Sequence, residues 1–301
     1  MSAVLDGTAL SRAEWSARAE AHAARADELT AAHRARAARQ QKHPVEDFLF
    51  TYYSYKPAIL RKWHPGPGVA LCDAEERASW RWYCESADGV EVDAETFRRE
   101  RGSLYRGVVN LLRATAARPA RFGCFGLHEW AMAYRSDDVR HAVPLRLGRD
   151  GTDAVVETHE LTCTHFDAFR FFTPDAAPRN RTALTRDLQV RHEQPGCLHA
   201  GMDVYKWAVK LGPLVPGDIL LDAFALARDI RTLDMEASPY DLADWGYSPV
   251  AIETPAGKAQ YVARQRALSE RSQALRTGLL NAVTAGDDTP GGADFLRPDS
   301  V

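Results

Sequence analysis

The sequence predicts a mainly α fold, a single compact helical domain with a small β-hairpin insertion. Three observations lead to this prediction. An Ala/Arg-rich segment opens with a capping-box pattern, several later segments carry apolar residues at helical spacing, and one short stretch alternates around an Asp-Gly pair. The 301 residues are enough to form a large hydrophobic core, which we expect the helices to build.

Residues 1–42 are predicted to form a basic, Ala/Arg-rich N-terminal helix that follows a loose tail over residues 1–8. Ser11 and Glu14 stand three positions apart, as the two partners of a capping box do. The segment has few large apolar residues, so we expect it to pack weakly. Its arginines are interpreted as a solvated helix face, and a phosphate-contacting arm is the alternative.

Residues 43–284 are predicted to form the helical core domain that carries the functional site. Apolar spacing and proline positions place helices there at 45–54, 57–63, 94–117, 125–135, 198–211, 216–235 and 255–284. The alternating residues around Asp150-Gly151 predict two short strands within 143–165. Residues 182–190 fit a short strand or a helix. The Gly/Pro/Asp-rich tail 285–301 is predicted to be disordered.

Composition and missing motifs narrow the function classes. The net charge of −3 does not indicate a nucleic-acid binder, although a local basic patch remains compatible with it. The five cysteines are dispersed without a CxxC pair, which predicts reduced thiols in a cytoplasmic protein rather than disulfides or a thiolate zinc site. The chain has no apolar run of membrane-spanning length and no GxGxxG, Walker, GxSxG or kinase signature.

The strongest candidate for chemistry is the segment 193–211, EQPGCLHAGMDVYKWAVKL. On a helix, His199, Asp203 and Lys206 share one stripe within otherwise apolar sequence. Such groups are costly to bury unless they pair or act. Two readings stay open: a functional site, or an Asp203–Lys206 ion pair beside a capped histidine.

A second candidate is the segment 159–174, HELTCTHFDAFRFFTP. If its first part is a regular strand, His159, His165 and Asp167 point to one side, as a set of metal ligands would. The alternative is an ordinary polar hairpin that leads into a stack of Arg170 on its aromatic neighbours.

The third candidate is the His128-Glu129 pair of the predicted helix 125–135. Adjacent helix positions diverge in direction, so at most one of the two side chains should point inward. A structural histidine is the simpler reading. Neither this pair nor His159-Glu160 continues into an HExxH zinc motif.

Five segments carry a resemblance to a known family: KHPVEDFLFTYYSYKPAILRKWHPG, FGCFGLHEWAMAYR, HFDAFRFFTP, EQPGCLHAGMDVYKWAVKL, and LDMEASPYDL with IETPAGKAQYV. Together they span residues 42 to 280, and the chain resembles an actinobacterial family commonly labelled 3-methyladenine DNA glycosylase. The resemblance implies hydrolysis of the N-glycosidic bond of an alkylated purine in damaged DNA, without a cofactor.

The resemblance also implies roles for particular residues. Asp203 would be the catalytic carboxylate, assisted by His199 and Lys206. Lys206 or Arg170 would contact phosphate. A cationic alkylated base suits aromatic walls, for which the candidates are Tyr52, Tyr53, Trp63, Trp130, Phe171 and Trp207.

The competing hypothesis is a helical metalloenzyme that acts on a small molecule. The chain offers more His and carboxylate groups than a glycosylase requires, and the helix-hairpin-helix pattern of one glycosylase class is absent. Nitrogen and oxygen ligands suit iron, manganese or zinc. The candidate ligands are His128, His159, His165, Asp167, Glu193, His199 and Asp203. A binding protein without catalysis is a third reading. The sequence leaves open the oligomeric state and whether the histidines of 159–167 meet the helix 198–211.

Overall fold

The computed structural model describes residues 8–136 and 142–286. Within them the chain is mainly α, which confirms the predicted fold class. The helices are α1 (Arg12–Ala38), α2 (Phe48–Tyr52), α3 (Pro57–Leu60), α4 (Glu75–Ala78), α5 (Ala94–Glu100), α6 (Gly102–Ala116), α7 (Leu127–Ala133), α8 (Gly148–Thr158), α9 (Phe166–Phe169), α10 (Gln189–His192), α11 (Leu198–Leu211), α12 (Gly217–Glu236) and α13 (Pro255–Thr284). The strands are β1 (Thr8–Leu10), β2 (Val69–Leu71), β3 (Tyr83–Ser86) and β4 (Gly89–Val92). Most of the predicted tail 285–301 lies outside the described residues.

Helix α1 begins with the predicted capping box. The Ser11 hydroxyl accepts from the Glu14 amide, and the Glu14 carboxylate accepts from the Ser11 amide at 2.9 Å. The helix packs against α3 and α12 through four buried residues, Trp15, His22, Ala26 and Thr30. Arg25 forms an ion pair with Asp222 of α12 at 2.6 Å, so part of the basic face is paired within the chain.

Three helices, α11, α12 and α13, form the centre of the fold. Their buried apolar side chains belong to one hydrophobic cluster that extends from Leu10 to Val283. Gly201 of α11 allows the close approach, because a methyl group there would lie 2.9 Å from Ile230 of α12 and 3.0 Å from Ser272 of α13. Each large apolar side chain buried in this way contributes roughly 1.5–3 kcal/mol. The predicted bounds 198–211 and 255–284 are confirmed.

The small sheet is built elsewhere than the sequence predicts. Its strand order is β1-β2-β4-β3, with β1 parallel to β2 and the other pairs antiparallel. The hairpin is β3–β4, in which Tyr83 faces Val92 and Ser86 faces Gly89. Gly89 has a φ of +133°, and a side chain there would meet the Leu71 backbone.

The hairpin predicted within 143–165 is wrong, because residues 148–158 form α8. Thr152, Val155 and Val156 are buried on one side of this helix, a helical spacing that the Asp-Gly turn signal obscured. Nor do residues 159–165 form a regular strand, since their β pairing within the described chain is a single bridge between Leu161 and Asn180.

Other differences are local. The predicted helix 94–117 is interrupted at Arg101 into α5 and α6, and the predicted helix 45–54 shortens to α2. The region 182–190 ends in the start of α10. Among the described helices, none combines the length and apolar character needed to cross a membrane.

Replacing Gly257 with alanine tests how tightly the start of α13 is packed. A methyl group there would lie 1.9 Å from the Ala251 carbonyl oxygen, so the backbone must shift. We expect a loss of about 1–3 kcal/mol in the free energy of unfolding, measured by urea denaturation. The matched control is Gly278→Ala on the same helix, whose nearest neighbour is 3.7 Å away. It should be neutral or stabilise by up to about 1 kcal/mol. Equal effects of the two substitutions would contradict this packing.

Candidate functional site

Helix α11 brings the three residues of the predicted stripe into one buried region. Asp203 and Lys206 retain only 2% and 8% of their accessible surface, while His199 is half-buried. The Lys206 ammonium donates to the Asp203 carboxylate, so the predicted ion pair is present. The capped histidine of that second reading is not found, because His199 Nδ1 is buried and makes no hydrogen bond with the described residues.

Lys206 is the centre of a wider ionic cluster. Its Nζ also donates to Asp167 at 3.2 Å, and the Tyr53 hydroxyl donates to Asp203 at 2.7 Å. The half-exposed Arg186 donates to the second oxygen of Asp167 at 2.8 Å. Burial opposes the charged form of Lys206, but Asp203 and Asp167 raise its pKa above the usual value. The lysine therefore stays protonated inside the fold.

His165 joins this cluster from the segment before α9. Its Nδ1 lies 3.4 Å from a Glu193 oxygen, and its Nε2 lies 3.6 Å from an Asp203 oxygen. Gln189 of α10 holds the other Glu193 oxygen at 2.9 Å. Burial lowers the pKa of His165, yet Glu193 and then Asp203 outweigh it, so the net shift is upward.

The charges of this cluster show what it attracts. Three carboxylates, Asp167, Glu193 and Asp203, face the buried ammonium of Lys206, and Asp167 is also paired with the guanidinium of Arg186. Burial raises the pKa of Glu193, but His165 brings its net value below normal, so the carboxylate and the imidazole favour each other's charged forms. The surroundings of His165 therefore favour one further positive charge.

A second cluster lies on the other side of His199, at α7 and α12. His128 Nε2 is 2.6 Å from Asp234 Oδ1, and its Nδ1 is 3.5 Å from the Cys124 sulfur. Arg231 donates to the other Asp234 oxygen at 2.8 Å and to Glu129 at 2.9 Å. Burial raises the pKa of Asp234, but His128 outweighs it and brings the net value well below normal.

The prediction that only one of His128 and Glu129 points inward is wrong. Both are buried, with 4% and 3% of their surface exposed, and both have partners on α12. The rule of diverging directions assumes a helix with one solvated face. All seven residues of α7 are buried, so each direction leads to protein.

His199 connects the two clusters. Its ring lies 4.4 Å from that of His128 and 5.4 Å from that of His165, between ring centroids. Burial and then the neighbouring His128 bring the pKa of His199 well below the usual value, so His199 is the neutral one of these three histidines. Two sets of possible ligand atoms result, each within 4.8 Å: His128, His199 and Asp234, and His165, Glu193 and Asp203.

His159 is the predicted ligand that the fold places apart. Its Nδ1 lies 2.7 Å from the Val155 carbonyl oxygen at the end of α8, and it belongs to neither set of ligand atoms. Of the segment 159–167, His165 and Asp167 therefore meet α11 and His159 does not.

The aromatic residues proposed for a base pocket are also divided. Tyr53 contacts Asp203, and the Trp207 ring centroid lies 4.3 Å from the Lys206 ammonium. Trp130 is fully buried and donates to the Ala237 carbonyl oxygen, and Trp63 packs under Arg77. The Arg170 guanidinium lies 4.3 Å from the Phe171 ring centroid, and its Nε lies 3.6 Å from an Asp167 oxygen.

Sequence reasoning missed Asp234, Arg231 and Cys124. A signal for the first two was present, because Arg231 and Asp234 interrupt the apolar positions of a helix whose Ile230 and Leu233 are buried. The pair Cys124 and His128, four positions apart, carried no comparable signal, since Cys124 precedes the helix.

Comparison with protein-family models, with curated proteins and with solved structures finds no match for this chain. The resemblance to the 3-methyladenine DNA glycosylase family therefore stays a prediction.

Replacing Lys206 with methionine tests the ionic cluster. Asp203 and Asp167 would keep buried charges without their ammonium partner, and we expect a loss of about 3–5 kcal/mol in the free energy of unfolding. The control is Lys210→Met, one turn further along α11 and exposed, where a change within about 0.5 kcal/mol is expected. Urea denaturation of both variants measures the difference. Similar values for the two would mean that Lys206 does not stabilise the carboxylates.

Proposed function

We propose that the protein is a metalloenzyme whose ion is held by His165, Glu193 and Asp203. The observation that carries the proposal is that one ligand atom from each lies within 4.8 Å of the other two, in a region where all three are buried. The ligands come from three segments packed on one another, which is how helical proteins commonly build such sites.

Ligand spacing favours this set over the other. Ligands of one tetrahedral ion at bond lengths of about 2.0–2.1 Å stand about 3.4 Å apart. His165 Nδ1 lies 3.4 Å from a Glu193 oxygen and His165 Nε2 lies 3.6 Å from an Asp203 oxygen, so each carboxylate stands at this spacing from one of the two ring nitrogens. The 2.6 Å between His128 and Asp234 is shorter than that spacing, because the two side chains form a hydrogen bond. An ion at the first set would share the Asp203 oxygen nearest His165 with the Lys206 ammonium.

The donors also indicate the kind of ion. One imidazole and two carboxylates, without thiolate, suit iron, manganese or zinc. A bound ion would use one nitrogen of His165 and one oxygen from each of the two carboxylates. A bound cation would take the place of the proton that Glu193 and Asp203 favour on His165 by raising its pKa.

Elemental analysis tests the proposal. Protein purified without a metal-affinity tag should carry one iron, manganese or zinc ion per chain. The ion should be absent from His165→Ala, because that substitution removes the nitrogen ligand. Circular dichroism checks that the variant is folded, and Glu193→Gln serves as a second ligand variant in case it is not.

The control for this experiment is His159→Ala. His159 was an equally plausible ligand in the sequence, but it lies outside the set, so its variant should keep the ion. Protein that is metal-free and binds none of the three ions in calorimetric titration would contradict the proposal. Loss of the ion from His159→Ala but not from His165→Ala would mean that the ion is bound at His159 instead.

A second candidate is the glycosylase function that the resemblance implies. It is favoured by the setting of Asp203, a carboxylate that Tyr53 and Lys206 hold in place. Arg170 and Arg186 expose 44% and 58% of their side chains beside Asp167, where they can reach phosphate groups. A carboxylate near cations and aromatic rings is what hydrolysis of a base–sugar bond requires.

Base release from alkylated DNA tests this candidate. If Asp203 is the catalytic carboxylate, Asp203→Asn should lower the rate of 3-methyladenine release about 100-fold or more while DNA binding persists. Asp222→Asn, at an exposed carboxylate of α12, is the control and should keep the wild-type rate. No release by the wild-type protein, or equal release by Asp203→Asn, would exclude this role. Metal content is measured independently, so the two candidates are distinguishable.

A further inference from the structure

A cleft of about 470 Å³ leads to the second cluster rather than to the proposed metal ligands. Its lining combines two thiols, one half-buried and one buried, with apolar groups and several basic side chains. Six lining residues matter here: Arg121, Cys124, Leu127, Cys163, His192 and Lys258. Cys124 therefore places a thiol on the wall of a cavity large enough for a small molecule.

Cys124, His128 and Asp234 form a hydrogen-bonded chain from this wall into the core. The Cys124 sulfur lies 3.5 Å from His128 Nδ1, and His128 Nε2 lies 2.6 Å from Asp234 Oδ1. Arg231 occupies the second Asp234 oxygen at 2.8 Å, so the carboxylate cannot turn away. A thiol, an imidazole that contacts it through one nitrogen, and a carboxylate on the other nitrogen are the parts of an activated cysteine nucleophile.

The electrostatics support the same roles. Burial lowers the pKa of His128, but Asp234 outweighs it and raises the pKa well above the usual value. The imidazole is therefore able to keep a proton taken from the thiol.

The backbone around Cys124 is held in an unusual conformation. Phe125 and Gly126, the two residues that follow it, have φ values of +48° and +74°. Positive φ at Phe125 costs on the order of 1 kcal/mol, and such strain tends to occur where a side chain must be presented at a site. A methyl group at Gly126 would press on Ala237 and Tyr261 at 3.4 Å, so the turn is packed from behind.

The other four cysteines differ from Cys124. Burial raises the pKa of the thiols of Cys163 and Cys197, which disfavours their thiolates. Burial also raises the pKa of the Cys84 thiol. Cys72 contacts the Asp88 carbonyl oxygen at 3.7 Å. Within the described chain, the hydrogen bond between a thiol and an imidazole belongs to Cys124.

We propose that Cys124, with His128 as its base and Asp234 as positioning residue, is a nucleophile that forms a thioester with a small anionic acyl substrate bound in this cleft. The charge of the substrate follows from the cations of the lining. Arg121 and Lys258 have no carboxylate partner among the described residues, whereas the carboxylate of Glu160 is taken by Arg181 at 2.6 Å. This function goes beyond the proposed metal site and uses none of its ligands.

The reaction needs water as its only co-reactant. His128 takes the thiol proton, and the Cys124 sulfur forms a bond to the acyl carbon while the carbonyl electron pair moves to oxygen. When that pair returns, the bond to the leaving group breaks, and the leaving group departs with the proton from His128. Water then gives a proton to His128 and its hydroxide oxygen to the acyl carbon. The sulfur leaves, recovers the proton, and a carboxylic acid is released.

Alkylation of the full-length protein with iodoacetate and iodoacetamide tests the nucleophile, with peptide mass spectrometry to read each cysteine. The thiolate is the reacting form, and an ordinary free thiol is only a few per cent ionised at pH 7. We therefore expect Cys124 to react about tenfold faster than Cys72 in the same molecule. This advantage should disappear in His128→Gln. In Asp234→Asn, the alkylation rate of Cys124 should rise at a higher pH than in the wild type, because the imidazolium of His128 loses its counter-charge.

Cys72 is the internal control, since its rate should be the same in every folded variant. The ratio of iodoacetate to iodoacetamide rates at Cys124 should fall about fivefold in Lys258→Ala, because the cleft loses one cation.

An acyl-enzyme is sought with mono-para-nitrophenyl succinate. A stoichiometric burst of para-nitrophenolate in wild type, absent from Cys124→Ser, supports the proposal. Labelling of Cys124 no faster than Cys72, or identical release by wild type and Cys124→Ser, overturns it.

Discussion

The ammonium of Lys206 lies inside the helical core, where an unpaired charge would cost several kcal/mol, so its two carboxylate partners are a condition of the fold. Asp203 is on the same helix, but Asp167 comes from α9, and the pairing therefore fixes α9 against α11. Tyr53, near α2, adds a third segment through its bond to Asp203. Apolar packing of α11 against α12 and α13 supplies the remaining energy, and Gly201 lets these helices approach.

Around this core, two groups of charges are arranged so that each is nearly neutral. One contains Lys206, His165 and Arg186 with Asp167, Glu193 and Asp203. The other contains Arg231 and His128 with Glu129 and Asp234. The neutral ring of His199 stands between them. Because each group is compensated locally, the region can carry many ionisable side chains at little net electrostatic cost.

Local sequence patterns predicted the parts of the structure that depend on local spacing. The bounds of α11 follow from apolar periodicity, and the stripe of Asp203 and Lys206 follows from helical geometry. Where tertiary packing decided, the patterns failed. Asp150-Gly151 became part of α8 because Val155 and Val156 found a buried partner surface. The inward directions of both His128 and Glu129 depend on α12, a partner that sequence spacing cannot identify.

The candidate site was thus half predictable. His165, Asp167 and Glu193 were recognised as ligand types, but their meeting with α11 depends on irregular backbone between residues 159 and 198. Cys124 and Asp234 come together only because α7 packs on α12, and no local rule connects them. Composition alone could not distinguish His159 from His165, whose environments differ completely.

Both clusters are assembled from residues that lie far apart along the chain. Tyr53 and Asp203 are 150 residues apart, and His128 and Asp234 are 106 apart. Contacts of such high order form late, after loop closure has been achieved, and they slow folding. A nascent chain that has not yet emerged past α12 lacks both Arg231 and Asp234, so Glu129 and His128 are without the partners that the folded chain gives them. The imidazole of His128 therefore gains its carboxylate partner only when α12 has joined the fold.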